Sequence, residues 1–149
     1  MTEIGFYHLT ATPLEKALPR LLEKVVEGGH RAVVMAGSAE RVASLDATLW
    51  TYDPASFLPH GSAKDGKAER QPIFLTAAAE NPNGADVLVL VDGVEPGHLG
   101  TFARCLDMFD GGDEAAVEAA HMRWKARKAE GHAVTYYQQS DSGRWEKKG

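Results

Sequence analysis

Apolar residues recur along this chain with two different periods, and the switches between them outline the elements. Short apolar or alternating runs predict strands over residues 4–9, 31–35, 73–75 and 87–91. Phe6 and Tyr7 add β propensity to the first of these. Leu14, Leu18, Leu21, Leu22 and Val25 instead recur at helical spacing. Thr12-Pro13 reads as the start of that helix, with Thr12 as cap, and Gly28-Gly29 as its end. Pro19 inside the run predicts a kink or a delayed start. Ser38 is expected to cap a second helix with the stripe Val42, Leu45, Leu49. Pro54 and Pro59 interrupt the chain beyond that stripe, which predicts a turn and a short extended piece carrying Trp50, Tyr52 and Phe57.

Residues 61–70 are polar and Gly-containing and read as a mobile loop, and residues 81–84 carry strong turn chemistry. Residues 96–104 are expected to be helical and 105–109 to form a strand that Gly111-Gly112 ends. Asp113 and Glu114 place negative charge at the start of a long helix, as its dipole favours. That helix is expected to run to about Glu130, with Gly131 beyond it, a last strand over residues 132–138, and a polar tail containing Trp145. Strands alternating with helices imply an α/β protein, a mostly parallel sheet covered on both faces. With 149 residues, no internal repeat and only a weak boundary at residues 61–70, a single domain over residues 1–149 is expected.

Charge and composition narrow the function. The formal net charge is −5, which argues against direct grip on DNA phosphates. A local basic patch on that acidic background can still hold an acidic peptide. A lone cysteine, Cys105, allows no internal disulfide or cysteine metal cluster and fits a reducing compartment. No run approaches the roughly 20 apolar residues of a membrane span, and the N-terminus lacks a signal-peptide pattern. A cytoplasmic location is expected.

Parallel sheets often bind nucleotides, so the phosphate loops are informative. Thr10-Ala11-Thr12-Pro13 follows the first strand where G-x-G-x-x-G would stand, and neither G-x-x-x-x-G-K-[ST] nor G-x-S-x-G occurs. The six histidines are scattered without a ligand spacing. Asp92 ends a strand, a position that often carries catalytic groups, but Asp92-Gly93 is also plain turn chemistry. No catalytic, cofactor-binding or metal set is expected.

Two clusters remain. Trp50, Tyr52, Phe57 and Leu58 lie on an irregular segment, folded onto the domain's own core or exposed as an anchor for a partner. His121, Arg123, Trp124, Lys125, Arg127 and Lys128 make the long helix basic around an aromatic. Val117, Ala120 and Trp124 form one stripe, and His121 and Lys125 share the neighbouring face at i, i+4. This is either a solvated helix end that suits the dipole, or a clamp for a carboxylate with an aromatic wall.

At these clusters the chain resembles the chi subunit family of bacterial DNA polymerase III. The likeness runs from Phe6-Tyr7-His8-Leu9 through residues 29–34 and is most specific at residues 45–50 and 56–60. It returns at Arg123-Trp124-Lys125 and Gly131-His132 and closes at Gly143-Arg144-Trp145. The resemblance implies a Rossmann-like α/β fold without a nucleotide-binding glycine loop, and no catalytic activity. It implies a place at the edge of the clamp-loader assembly, paired with the psi subunit or an equivalent partner through Trp50, Tyr52, Phe57 and Leu58. It also implies binding of the acidic C-terminal tail of single-stranded-DNA-binding protein, with single-stranded DNA contacted only indirectly. Lys125 would meet the terminal carboxylate, Trp124 would wall the apolar pocket, and Arg123 would reach the tail's acidic residues. His121 stands where better-known members carry Arg, which implies a contact that strengthens on protonation. The competing expectation is a small α/β enzyme using a nucleotide or S-adenosyl cofactor.

Overall fold

A computed structural model describes residues 2–53 and 58–148. Eight strands form one sheet in the order β3-β4-β2-β5-β6-β1-β7-β8. They are β1 (Glu3–Leu9), β2 (Ala32–Met35), β3 (Gly61–Ser62), β4 (Ile73–Thr76), β5 (Val87–Leu90), β6 (Arg104–Asp110), β7 (Ala133–Gln139) and β8 (Trp145–Lys147). All adjacent pairs are parallel except β7 with β8. Three α-helices, α1 (Leu14–Glu27), α2 (Ala39–Thr51) and α3 (Glu114–Ala129), complete an α/β, three-layer arrangement among the described residues.

The layers follow from strand alternation, which sends successive side chains to opposite faces. Leu18 and Leu22 of α1 and Leu45 and Leu49 of α2 pack with Leu9, Val34, Val89, Leu106 and Met108 on one face. On the other, Ala120 of α3, with Val117 and Trp124 beside it, packs on Ile4, Phe6, Leu88, Cys105 and Phe109. The central strands read as unbroken apolar runs because both of their faces are covered.

Local chemistry ends the helices where the sequence indicates. Beyond α1, Gly29 has φ +81°, and the amides of Gly29 and His30 donate to the carbonyls of Val26 and Val25. Beyond α3, Gly131 has φ +89°, and the amides of Gly131 and His132 donate to Lys128 and Arg127. Both are the left-handed cap that glycine makes possible. Ser38 Oγ accepts from the Arg41 amide, and Asp113 caps α3 by accepting from Ala115 and Ala116.

Several expectations change. Residues 96–104 form no α-helix: a 3-10 turn, Leu99–Thr101, leads straight into β6. Pro96, Gly97 and Gly100 disfavour a helix there, while Leu99 and Phe102 still reach the core. Thr12 does not cap α1; its hydroxyl accepts from Gln139 Nε2 at 2.9 Å, and α1 starts after Pro13 with Pro19 buried inside it. Trp50 lies in the last turn of α2 rather than on a turn. The polar stretch 61–70 holds β3 and two 3-10 turns, the first closed by a Ser62–Asp65 capping box. The tail forms β8, anchored by Trp145 edge-on to Tyr7 at 5.0 Å, while Tyr7 stacks on Tyr137 at 4.9 Å. Gly5 makes room for this stack, since a Cβ there would sit 2.9 Å from the Tyr7 ring.

Candidate functional site

The long helix sorts its cations into two classes. Arg123 turns inward, 7% exposed, and donates from Nε and Nη2 to the two oxygens of Asp107 at 2.8 and 2.9 Å. Asp107 faces α3 from the middle of β6, itself 3% exposed. Burial pushes its carboxyl above the ordinary value while Arg123 and then Arg127 pull it down. Arg127 is also buried and donates to Glu95 at 2.7 Å and to Glu130 at 3.3 Å. The expected spread of Arg123, Arg127 and Lys128 around a solvated helix is therefore corrected. Two of the three are interior groups, because a carboxylate inside an apolar strand needs a partner.

His121 and Lys125 do stand together on the exposed side of α3. Lys125 enters no ion pair among the described residues. Trp124 is half-buried against the core, and the Lys128 ammonium lies 4.2 Å from its ring centroid. Its indole N–H is buried with no acceptor among the described residues. Met122 is 64% exposed beside them. The structure thus brings His121, Trp124, Lys125 and Lys128 to one region and removes Arg123 from it.

At the other cluster, Trp50 is 56% exposed at the end of α2, its ring 4.7 Å from that of His60. Tyr52 is half-buried; its hydroxyl donates to Glu23 at 3.0 Å and the Arg20 guanidinium lies over its ring. Leu58 is buried in the core, and Phe57 lies outside the described residues. Sequence reasoning missed His60, which ties this segment to α2. Its Nδ1 lies 2.7 Å from the Leu58 carbonyl oxygen, and its Nε2 lies 3.2 Å from both the carbonyl oxygen and a carboxylate oxygen of Asp46.

A cleft of about 910 Å³ opens at the carboxyl ends of β1 and β6. These strands are adjacent, yet β1 leads to a helix on one face and β6 to a helix on the other, the place where open α/β sheets bind ligands. The amides of its first turn and its arginines are already engaged. Gln139 Oε1, buried at the end of β7, accepts from the amides of Thr10, Ala11 and Thr12 at 3.0, 3.0 and 3.2 Å. Arg41 joins Glu15 and Asp92 across the opening at 3.1 Å each. The Glu15 carboxyl is held below its usual range, chiefly by its own backbone amide and then by Arg41 against the opposing pull of burial. Asp92 and Gly93, with φ of 61° and 70°, form the tight turn that the dipeptide predicts, closed by the Val94 amide on the Val91 carbonyl. Sequence reasoning missed Gln139, although the length of the turn it fills was visible.

The fold and these features define an α/β protein whose phosphate-loop position is filled by its own glutamine. The chain belongs to the family described as DNA polymerase III chi subunit, HolC, whose model matches residues 1–135. This is a family of accessory replication subunits. The chain is 35% identical over 91 residues to a protein of Rickettsia prowazekii (strain Madrid E) named "Probable DNA polymerase III subunit chi", a stretch covering 61% of this chain and 55% of that protein. It is 24% identical over 138 residues to the DNA polymerase III subunit chi of Pseudomonas aeruginosa, covering 90% of this chain and 94% of that one. The chain therefore spans little more than half the length of the first relative and nearly all of the second.

Proposed function

We propose that this chain is a non-catalytic, cytoplasmic accessory subunit of DNA polymerase III that holds the acidic C-terminal tail of single-stranded-DNA-binding protein on α3 and docks on the clamp-loader assembly, through psi or an equivalent subunit, at Trp50. The observation that carries the reading is the exposed pair His121 and Lys125 beside Trp124, in a chain of the chi family. Lys125 supplies a cation for the terminal carboxylate, and Trp124 an aromatic wall for the residue that bears it. Arg123, committed to Asp107, is left out of the contact. A short tail on an open face binds weakly, around micromolar or about −8 kcal/mol, which suits a contact that breaks and reforms as a replication fork moves. Several tails on one oligomer raise the effective concentration.

Trp50 is the group suited to the partner face, since a large exposed aromatic is the commonest kind of interface anchor. Phe57, by sequence its neighbour in that face, lies outside the described residues. The non-catalytic reading is supported by the cleft between β1 and β6, whose first-turn amides Gln139 already occupies.

The test is a titration with a peptide of the host protein's last ten or so residues. Controls are the same peptide amidated at its C-terminus and the variant Lys125→Ala. Micromolar binding that both controls weaken at least about tenfold, the worth of a charge-assisted contact, supports the reading. No binding by the free-acid peptide sinks it.

A further inference from the structure

Behind the exposed face of α3 lies a chain of three groups from three elements. His8 Nδ1, on β1, is 2.6 Å from the hydroxyl oxygen of Tyr136 on β7. That same oxygen is 3.5 Å from His121 Nε2 on α3. Phe109 of β6 closes the cluster, 5.0 Å from the His8 ring and 6.1 Å from that of Tyr136. Gly111 fixes His8 from the far side: a Cβ there would lie 2.3 Å from the ring, so no other residue fits without displacing it.

One hydroxyl proton serves two imidazoles, so the chain has a direction. If Tyr136 donates to His8, its oxygen is left to accept an N–H from His121. If it donates to His121, that ring must be neutral at Nε2. Only the first arrangement accommodates a protonated His121, whose ring nitrogens are both donors. The shorter contact, to His8, suits the O–H donor, and the longer one suits a ring N–H. Two imidazolium rings cannot share the single acceptor. Burial, and then the charge of His121, hold His8 below the ordinary histidine range, which favours a neutral His8 whose Nδ1 accepts from Tyr136.

We propose that Tyr136, backed by His8, positions His121 as a proton-dependent anion contact for a carboxylate-terminated acidic peptide bound at Lys125. The inference rests on the tail-binding reading and names a device within that site. With Nε2–H turned to Tyr136, His121 presents Nδ1 outward, one helical turn from Lys125. The other ionisable groups around it are Glu118 on α3 and Lys148, which follows β8, donates its amide to the Tyr136 carbonyl and pairs with Glu146. Tyr136 is a positioning residue, not one that supplies charge.

The experiment measures tail-peptide affinity at pH 8 and pH 6 for the full chain and for Tyr136→Phe and His121→Gln, with imidazole nitrogen shifts recorded on the free protein. The peptide's carboxylates stay ionised over this range. The wild-type chain is expected to bind about two- to fivefold tighter at pH 6, the yield of one exposed ion pair, and His121→Gln to lose that ratio. Tyr136→Phe is expected to shrink the ratio and to shift the His8 nitrogen signals, which keep the proton on Nε2 in the wild type. A wild-type ratio of one, an unchanged ratio in Tyr136→Phe, or a His8 ring protonated at Nδ1 overturns the inference and leaves the tail reading intact. No binding at either pH removes the tail reading and this inference with it.

Discussion

Replacing Arg123 by alanine separates two accounts of the long helix. The sequence places Arg123 among surface cations; the structure places it 2.8 and 2.9 Å from both oxygens of a carboxylate that is itself interior. Removing the guanidinium leaves Asp107 away from water with only Arg127 to favour its charge. Breaking a buried pair in this way costs about 3–5 kcal/mol. In a chain of this size that lowers the melting temperature by roughly 6–20 °C. The loss should shrink as the pH falls from 7 to 5, because burial already raises the Asp107 carboxyl and the variant can escape by protonating it. Converting both residues to apolar ones of similar volume should cost less than either single change. Thermal and urea unfolding by circular dichroism, at both pH values, measure all of this. If Arg123→Ala stays within about 0.5 kcal/mol of wild type, the range of ordinary surface changes, while tail affinity falls severalfold, then Arg123 is a surface contact and the inward pair is wrong.

Tyr7 makes a prediction at the other end of the pH scale. Burial, and then the neighbouring Tyr137, push its phenol from 10.0 up to about 12, so the folded state favours the neutral form. The stability this contributes, on the order of 2–3 kcal/mol, is fully present below pH 10 and is lost as the pH rises towards 12. Unfolding measured across that window should show a slope that Tyr7→Phe reduces; equal slopes would mean the phenol is solvated. Gln139→Ala strands three amides and the Thr12 hydroxyl and should cost about 1–3 kcal/mol in urea titrations, with the β1–α1 turn gaining hydrogen exchange first. A loss confined to β8 would place the plug's role in the hairpin instead. Trp50→Ala should cost no more stability than a ring contact such as the one with His60, about 1 kcal/mol, because the indole is 56% exposed, yet weaken partner binding by about 2 kcal/mol or more in calorimetry. Unchanged partner affinity would remove Trp50 from the interface.

The legible features of the chain are those that local physics decides. Runs such as Val87–Leu90 need two covered faces, and both helices followed by Gly end where a left-handed residue is required. The features that stayed hidden depend on partners distant in sequence. β8 exists because β7 offers it an edge and Tyr7 and Tyr137 offer Trp145 a surface. Gln139 finds its role 127 residues away, at Thr12. Arg123 left more of a trace. Ala116, Ala120, Arg123 and Arg127 recur at core-facing spacing along α3, and Asp107 stands alone inside the apolar run Cys105-Leu106-Asp107-Met108-Phe109. A lone carboxylate on a covered strand demands a buried cation, and two arginines on the inward stripe of the helix that covers it were the available ones.

The same partition bears on how one small chain would serve the two partners proposed for it. α2, which carries Trp50, packs on the face and the edge of the sheet near β3 and β4, whereas α3 covers β6, β1 and β7 on the opposite face. Between them stands a sheet with both faces packed, and interiors of that kind resist small deformations. A ligand on α3 therefore has little means of altering the Trp50 face, and each contact can be weak and exchange at its own rate. The cleft between β1 and β6 is where a ligand could couple the two layers, because it touches α1, α2 through Arg41 and α3 at once. Filling its first turn with Gln139, and bracing its mouth with Glu15, Arg41 and Asp92, removes the element a cofactor would use to communicate. The tether proposed here would require strength along its length and no switch in the middle, and a sheet packed on both faces suits both.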